Sequence, residues 1–130
     1  MNALALLYVA LGGAVGASLR YALTDLIARY NSSGFPWGTV SVNILGSLLM
    51  GMWVAAVLAS PVLERAKDLH LLLAVGLLGG FTTFSAFSLD VFLLAEKQLY
   101  SQLLLYILGS VLLSVLALVA GMWLLKSVAS

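Results

Sequence analysis

The residues of this 130-residue chain that can do chemistry are few and regularly placed. Thr39, Asn43 and Ser47 recur every fourth residue, and so do Tyr106, Ser110 and Ser114. On helices, each series forms a polar stripe that drifts slowly round its axis, covering ~12 Å at ~1.5 Å per residue. Asn43 is the strongest member, because its amide brings two donors and an acceptor. Donors held in a dry place are what an anion requires when it gives up its water. A second reading stands beside this one. Hydroxyls are common glue between membrane helices, and each can also satisfy a carbonyl of its own helix.

The stretch "GGFTTFSAFS" (79–88) adds two further devices. Gly79 and Gly80 weaken a helix, and the adjacent threonines can cap a new one. Two half-helices are therefore expected to meet near residues 79–83. The first would end on free carbonyls, which suit a cation. The second would begin on free N–H groups and a positive dipole end, which suit an anion. The plain alternative is a glycine-softened kink with packed phenylalanines. Phe84 and Phe87 share one helical face. Their positive ring edges can line an anion path, although phenylalanines at this spacing ordinarily pack.

Charged groups are rarer. Arg20 lies near the end of the first apolar run, where it either snorkels to the headgroups or makes a positive vestibule. Asp90 either marks an ion route or approaches the interface. Asp25 and Arg29 stand four apart and should pair. His70 reads as an interfacial residue. With one His, five acids and no Cys, the chain has little for conventional catalysis and nothing for disulfides or thiolate metal sites. It is not expected to be an enzyme or to bind nucleic acid.

The elements that position these residues follow from composition. Hydrophobic residues make up 63% of the chain and charged residues 8%, and the mean hydropathy is +1.14. Soluble domains carry about 25% charged residues. The chain reads as an all-α membrane protein in one integral domain, 1–130. A spanning helix needs ~20 mostly apolar residues, and four such runs are present, at about 4–27, 37–58, 69–95 and 103–125. Between them lie "RYNSSGFPWG" (29–38), "SPVLERAKD" (60–68) and "EKQLYSQ" (96–102), each polar or rich in turn formers. Such short joints predict antiparallel neighbours in consecutive order. A cleaved signal peptide is not expected, since no basic segment or small-residue cleavage site opens the chain.

Orientation is nearly undetermined by charge. One side carries Arg65, Lys67 and Lys126; the other carries Arg29, Lys97 and, if it reaches that interface, Arg20. The positive-inside rule needs a bias that is missing here. Insertion both ways would make an antiparallel homodimer a natural assembly. Small residues at four-residue spacing (Gly12 and Gly16, Gly13 and Ala17, Ser47 and Gly51, Ala117 and Gly121) are read as close helix contacts.

The pieces "GGAVGASLRY" (12–21), "PWGTVSVNILG" (36–46) and "GGFTTFSAFS" (79–88), followed by Tyr106, Ser110 and Ser114, span nearly the whole chain in order. In these the chain resembles the Fluc family of small bacterial fluoride channels, also called CrcB. The resemblance implies an antiparallel, dual-topology homodimer in the bacterial inner membrane, with two fluoride pores and fluoride resistance as the outcome. It implies that Asn43, Phe84 and Phe87 are pore residues. Tyr106, Ser110 and Ser114 would form the polar track, and Arg20 would face an aqueous vestibule. It also implies a central structural sodium ion, Na+, held by backbone carbonyls of Gly79 and Thr82 from both copies.

Three positions depart from the family pattern. Ala86 stands where Thr is frequent, Asp90 where Glu is usual, and Leu118 where a hydroxyl often extends the track. A shortened carboxylate at Asp90 can still serve as a polar step in the pathway. The expected function is passive, fluoride-selective export through membrane lipid. Two rivals are a small dual-topology, proton-coupled multidrug exporter and a structural subunit of a membrane complex. The exporter needs a carboxylate at mid-depth; the first three spans hold none there, and Asp90 lies late in the third.

Overall fold

A computed structural model describes residues 2–129. It is all-helical among those residues. Helix α1 (Ala3–Tyr30) is capped by Asn2, whose side chain accepts from Leu4 N–H at 3.1 Å. Near its end Arg29 pairs with Asp25 at 2.8 Å. Asn31 then organises the turn, donating to Phe35 carbonyl at 2.7 Å and accepting from Ser33 N–H at 3.1 Å. Helix α2 (Trp37–Ala59) follows. Two short helices, α3 (Pro61–Arg65) and α4 (Lys67–His70), lead into a π-helical segment, Leu71–Leu78. After α5 (Gly79–Phe81) the chain breaks, and it resumes as α6 (Ser85–Glu96) and α7 (Tyr100–Ala129).

Among the described residues, four stretches are long and apolar enough to cross a bilayer: Ala3–Tyr30, Trp37–Ala59, Lys67–Glu96 and Tyr100–Val128. Hydropathy alone predicts the four. The outer faces of α1 and α7 stay apolar and exposed, as at Leu11, Leu105, Leu112 and Leu116, which suits contact with lipid.

Consecutive spans touch, but they are not the main partners. The largest contacts join the first span to the third and the second to the fourth. Short joints fix only the direction of each span, whereas the close partner is chosen by small residues. A Cβ on Gly12 would run into the Leu72 carbonyl, and one on Gly16 into the Leu77 carbonyl. The second pair is reciprocal. A Cβ on Gly51 would strike the Leu118 carbonyl, and one on Gly121 the Leu48 carbonyl. Backbones this close gain dispersion contacts that large side chains would prevent. Along the first pair residue numbers rise together, Gly12 meeting Leu72 and Gly16 meeting Leu77; along the second, Val40 clusters with Tyr106 while Gly51 meets Leu118, so both pairs run parallel.

The break, at residues 82–84, overlaps the later end of the expected 79–83 stretch rather than falling on the glycines. Gly79 and Gly80 are helical, and the chain turns extended at Thr82 (φ −83°, ψ 158°). Gly80 serves instead as a contact, its Cα facing Gly13 and Ala17 of α1. The π-helical run before the break has no marker in its leucine-rich sequence.

Candidate functional site

A groove of about 290 Å³ opens where α2, α7 and the break meet. Helix α2 contributes Asn43 and Ser47, and α7 contributes Ser110 and Ser114 with Val111 and Val115. The break contributes Thr82, Thr83 and Phe84, and α6 adds Phe87. Five of the residues singled out as an anion path (Asn43, Phe84, Phe87, Ser110 and Ser114) thus line one concavity. The parallel contact of α2 and α7 brings the two polar stripes side by side.

Ser110 is 4% exposed, and its hydroxyl has no hydrogen-bond partner among the described residues. A buried hydroxyl normally finds one, if only its own helix's carbonyl. Here the unmet group lines the groove. Asn43 is held differently. Its Nδ2 donates to Thr83 carbonyl at 3.0 Å, and its Oδ1 accepts from Thr83 N–H at 2.7 Å. That two-point clasp leaves one Nδ2 hydrogen for anything in the groove.

The aromatic rings form a ladder across the site. Phe84 and Phe87 have centroids 5.4 Å apart and are tilted by 36°. Phe87 stacks on Tyr106 at 5.2 Å, and Tyr106 meets Phe35 edge-on at 5.7 Å. Phe87 is buried, whereas Phe84 is 76% exposed on this single chain.

Tyr106, Asp90, Arg20 and Gly79 are not in the groove wall. Tyr106 is fully buried and donates its one hydrogen to Asp90 Oδ2 at 2.8 Å. Thr39 donates to the same oxygen at 2.8 Å. Asp90 thereby ties α6 to α2 and α7. Arg20 donates from Nε to Gly80 carbonyl at 3.1 Å, so it binds α1 to the helix just before the break. His70 accepts from Trp53 Nε1 at 3.0 Å, near the start of the third span.

No cluster of three or more His, Cys, Asp or Glu side chains occurs among the described residues. Backbone oxygens are a different matter. In an unbroken helix, Thr83 N–H would close on Gly79 carbonyl, and Ala86 N–H on Thr82 carbonyl. Thr83 N–H goes to Asn43 instead, and Ala86 N–H goes to Thr83 Oγ1 at 3.2 Å. Neither carbonyl receives a hydrogen bond among the described residues. The donor set thus fits a small hard cation, which favours oxygen ligands of this type.

Sequence reasoning did not select Thr83 as a site residue and held Ser47 only through its α2 stripe. Thr83 stands three residues before the amide it accepts from, the usual spacing of a helix N-terminal cap.

Known proteins extend these observations. The family model described as "CrcB-like protein, Camphor Resistance (CrcB)" matches residues 7–122. Three similar proteins are each named "Fluoride-specific ion channel FluC". One, from Chelativorans sp. (strain BNC1), is 47% identical over 95% of this chain and 97% of its own. One from Phenylobacterium zucineum (strain HLK1) is 49% identical over 95% of this chain and 97% of its own. One from Phocaeicola vulgatus is 45% identical over 91% of this chain and 95% of its own. With the four spans, the broken third helix and the shared groove in place, the chain belongs to the CrcB family.

Proposed function

We propose that the chain is a passive, fluoride-selective channel that releases cytoplasmic fluoride and so confers fluoride resistance. The observation that carries this reading is the groove, above all the buried hydroxyl of Ser110, which has no hydrogen-bond partner among the described residues and lines the same wall as Phe84 and Phe87. Similarity to proteins named as fluoride-specific channels supports it.

The chemistry follows from the size of the ion. Fluoride is small and holds its water tightly, so a selective path must replace that water with fixed donors. Ser110, Ser114 and Ser47 can each turn a hydroxyl hydrogen toward the groove, and Asn43 has one amide hydrogen left. Phe84 and Phe87 add ring edges of positive character. Larger anions such as chloride gain less from so narrow a set of donors and do not fit as closely. Tyr106 and Asp90 would act at the far end of the track, where Asp90 must give up a hydroxyl before Tyr106 can donate to an ion. Arg20 would draw anions toward the site while holding the break. No bond is made or broken, so no enzyme chemistry is involved.

The assembly belongs to the same proposal. Two copies in opposite orientations would cover the exposed Phe84, and each would supply a pore. At their centre, the carbonyls of Gly79 and Thr82 from both copies would hold a sodium ion. When bound, that ion supplies positive charge that holds the two breaks together. The setting would be a bacterial inner membrane.

Asp90 bears on the exporter alternative. A proton-coupled exporter needs a carboxylate open to substrate, whereas Asp90 is engaged by Thr39 and Tyr106. The test is reconstitution in liposomes under a membrane voltage with no proton gradient. Fluoride release is expected. Flux that appears only with a proton gradient would replace the channel by a coupled carrier.

A further inference from the structure

Resting on the proposed cation site, we infer that Asn43 and Thr83 are positioning residues which keep that site's carbonyls open. The two oxygens assigned to the cation are those whose helical donors have been led elsewhere. Asn43 Oδ1 takes Thr83 N–H at 2.7 Å, which removes the natural partner of Gly79 carbonyl. Thr83 Oγ1 takes Ala86 N–H at 3.2 Å, which removes the natural partner of Thr82 carbonyl. One side chain acts on each oxygen.

The logic is one of competition. A buried N–H must be satisfied, and the nearest acceptor for each of these donors is the helical carbonyl four residues back. If the side-chain acceptor is removed, the donor is left unmet unless the chain rewinds toward a continuous helix. Rewinding would occupy the carbonyl that the cation needs. Asn43 resists this twice, because its Nδ2 also holds Thr83 carbonyl at 3.0 Å. Thr83 is kept in place by the same clasp, and its hydroxyl also lies 3.3 Å from Ser85 Oγ. Asn43 therefore serves two ends: its free amide hydrogen faces the groove, and its oxygen guards a carbonyl at the dimer centre. Thr83 also lines the groove, and its hydroxyl acts on the cation site through Ala86.

Both roles are readable without measuring flux. The chain is purified free of sodium and reconstituted, and dimer unfolding is followed thermally. Sodium chloride is titrated against N-methylglucamine chloride at constant ionic strength. Sodium should raise the wild-type midpoint. Asn43→Leu and Thr83→Val lack the acceptor oxygen at similar volume, and the sodium-dependent rise should be lost in both. Asn43→Asp and Thr83→Ser keep an oxygen at the same place, and the rise should be retained. A full sodium response in Asn43→Leu and Thr83→Val would overturn the positioning roles while leaving the cation site standing. Loss in all four variants would also overturn them, since the acceptor was kept in two. A wild-type dimer indifferent to sodium would remove the cation site, and this inference with it. If Asn43→Leu does not assemble, Thr83→Val decides the question at the other carbonyl.

Discussion

Tyr106 donates to Asp90 Oδ2 over 2.8 Å, and both groups are held away from lipid at the meeting of three helices. The same carboxylate oxygen accepts from Thr39. Each hydroxyl compensates for placing a carboxylate at this depth. Tyr106→Phe removes one donor and leaves the ring stack on Phe87 in place. A hydrogen bond to a charged group contributes about 1.5–3 kcal/mol. The variant should lose roughly that much stability, seen as a lower unfolding midpoint in detergent. An unchanged midpoint would show that the Tyr106–Asp90 bond carries no structural load.

Ser110 gives the opposite case. Its hydroxyl bonds nothing among the described residues, so the fold does not depend on it. Ser110→Ala should leave stability unchanged or raise it by up to about 1–3 kcal/mol, because it removes a buried hydroxyl left unsatisfied. If the hydroxyl meets a dehydrated anion in transit, losing it should raise the barrier by about 1.4 kcal/mol, a tenfold slower fluoride flux. The two readouts separate a pore role from a packing role. Lower stability with normal flux would make Ser110 a structural residue.

The turn before α7 is built with one residue in an unfavourable conformation. Gln98 has φ +57°, in the left-handed region. Leu99 N–H bonds Leu94 carbonyl at 3.0 Å and Gln98 N–H bonds Ala95 carbonyl at 2.9 Å, the paired bonds of a Schellman cap. A non-glycine residue there costs roughly 1–2 kcal/mol. Gln98→Gly should therefore stabilise the protein by about 1 kcal/mol, less the extra freedom of glycine in the unfolded chain. The check is the unfolding midpoint, with fluoride flux unchanged; a fall in the midpoint would mean that the Gln98 side chain matters to the turn.

Much of the architecture is written in local chemistry. Four apolar runs separated by turn formers dictate four long helices, because lipid demands internal backbone bonding. Four-residue spacing of small residues announces close contacts, yet it does not say with which span. That choice depends on reciprocal fits such as Gly51 to Leu118 and Gly121 to Leu48, which join residues far apart in the chain. The break shows the same limit. Glycines and threonines mark the neighbourhood, but its position is held by Asn43, 40 residues from Thr83. Asp90 looked ambiguous for a similar reason, since its partners Thr39 and Tyr106 come from other helices. The π-helical segment Leu71–Leu78 leaves no trace in a run of leucines.

The central claim is selectivity for fluoride through the groove. The most direct measurement is paired efflux of fluoride and chloride from liposomes holding the purified chain, under one membrane voltage and with ion-selective electrodes. Rapid fluoride loss with negligible chloride loss is expected, and Phe84→Ile should slow the fluoride. Equal loss of both ions, or no fluoride loss from well-folded protein, would contradict the account.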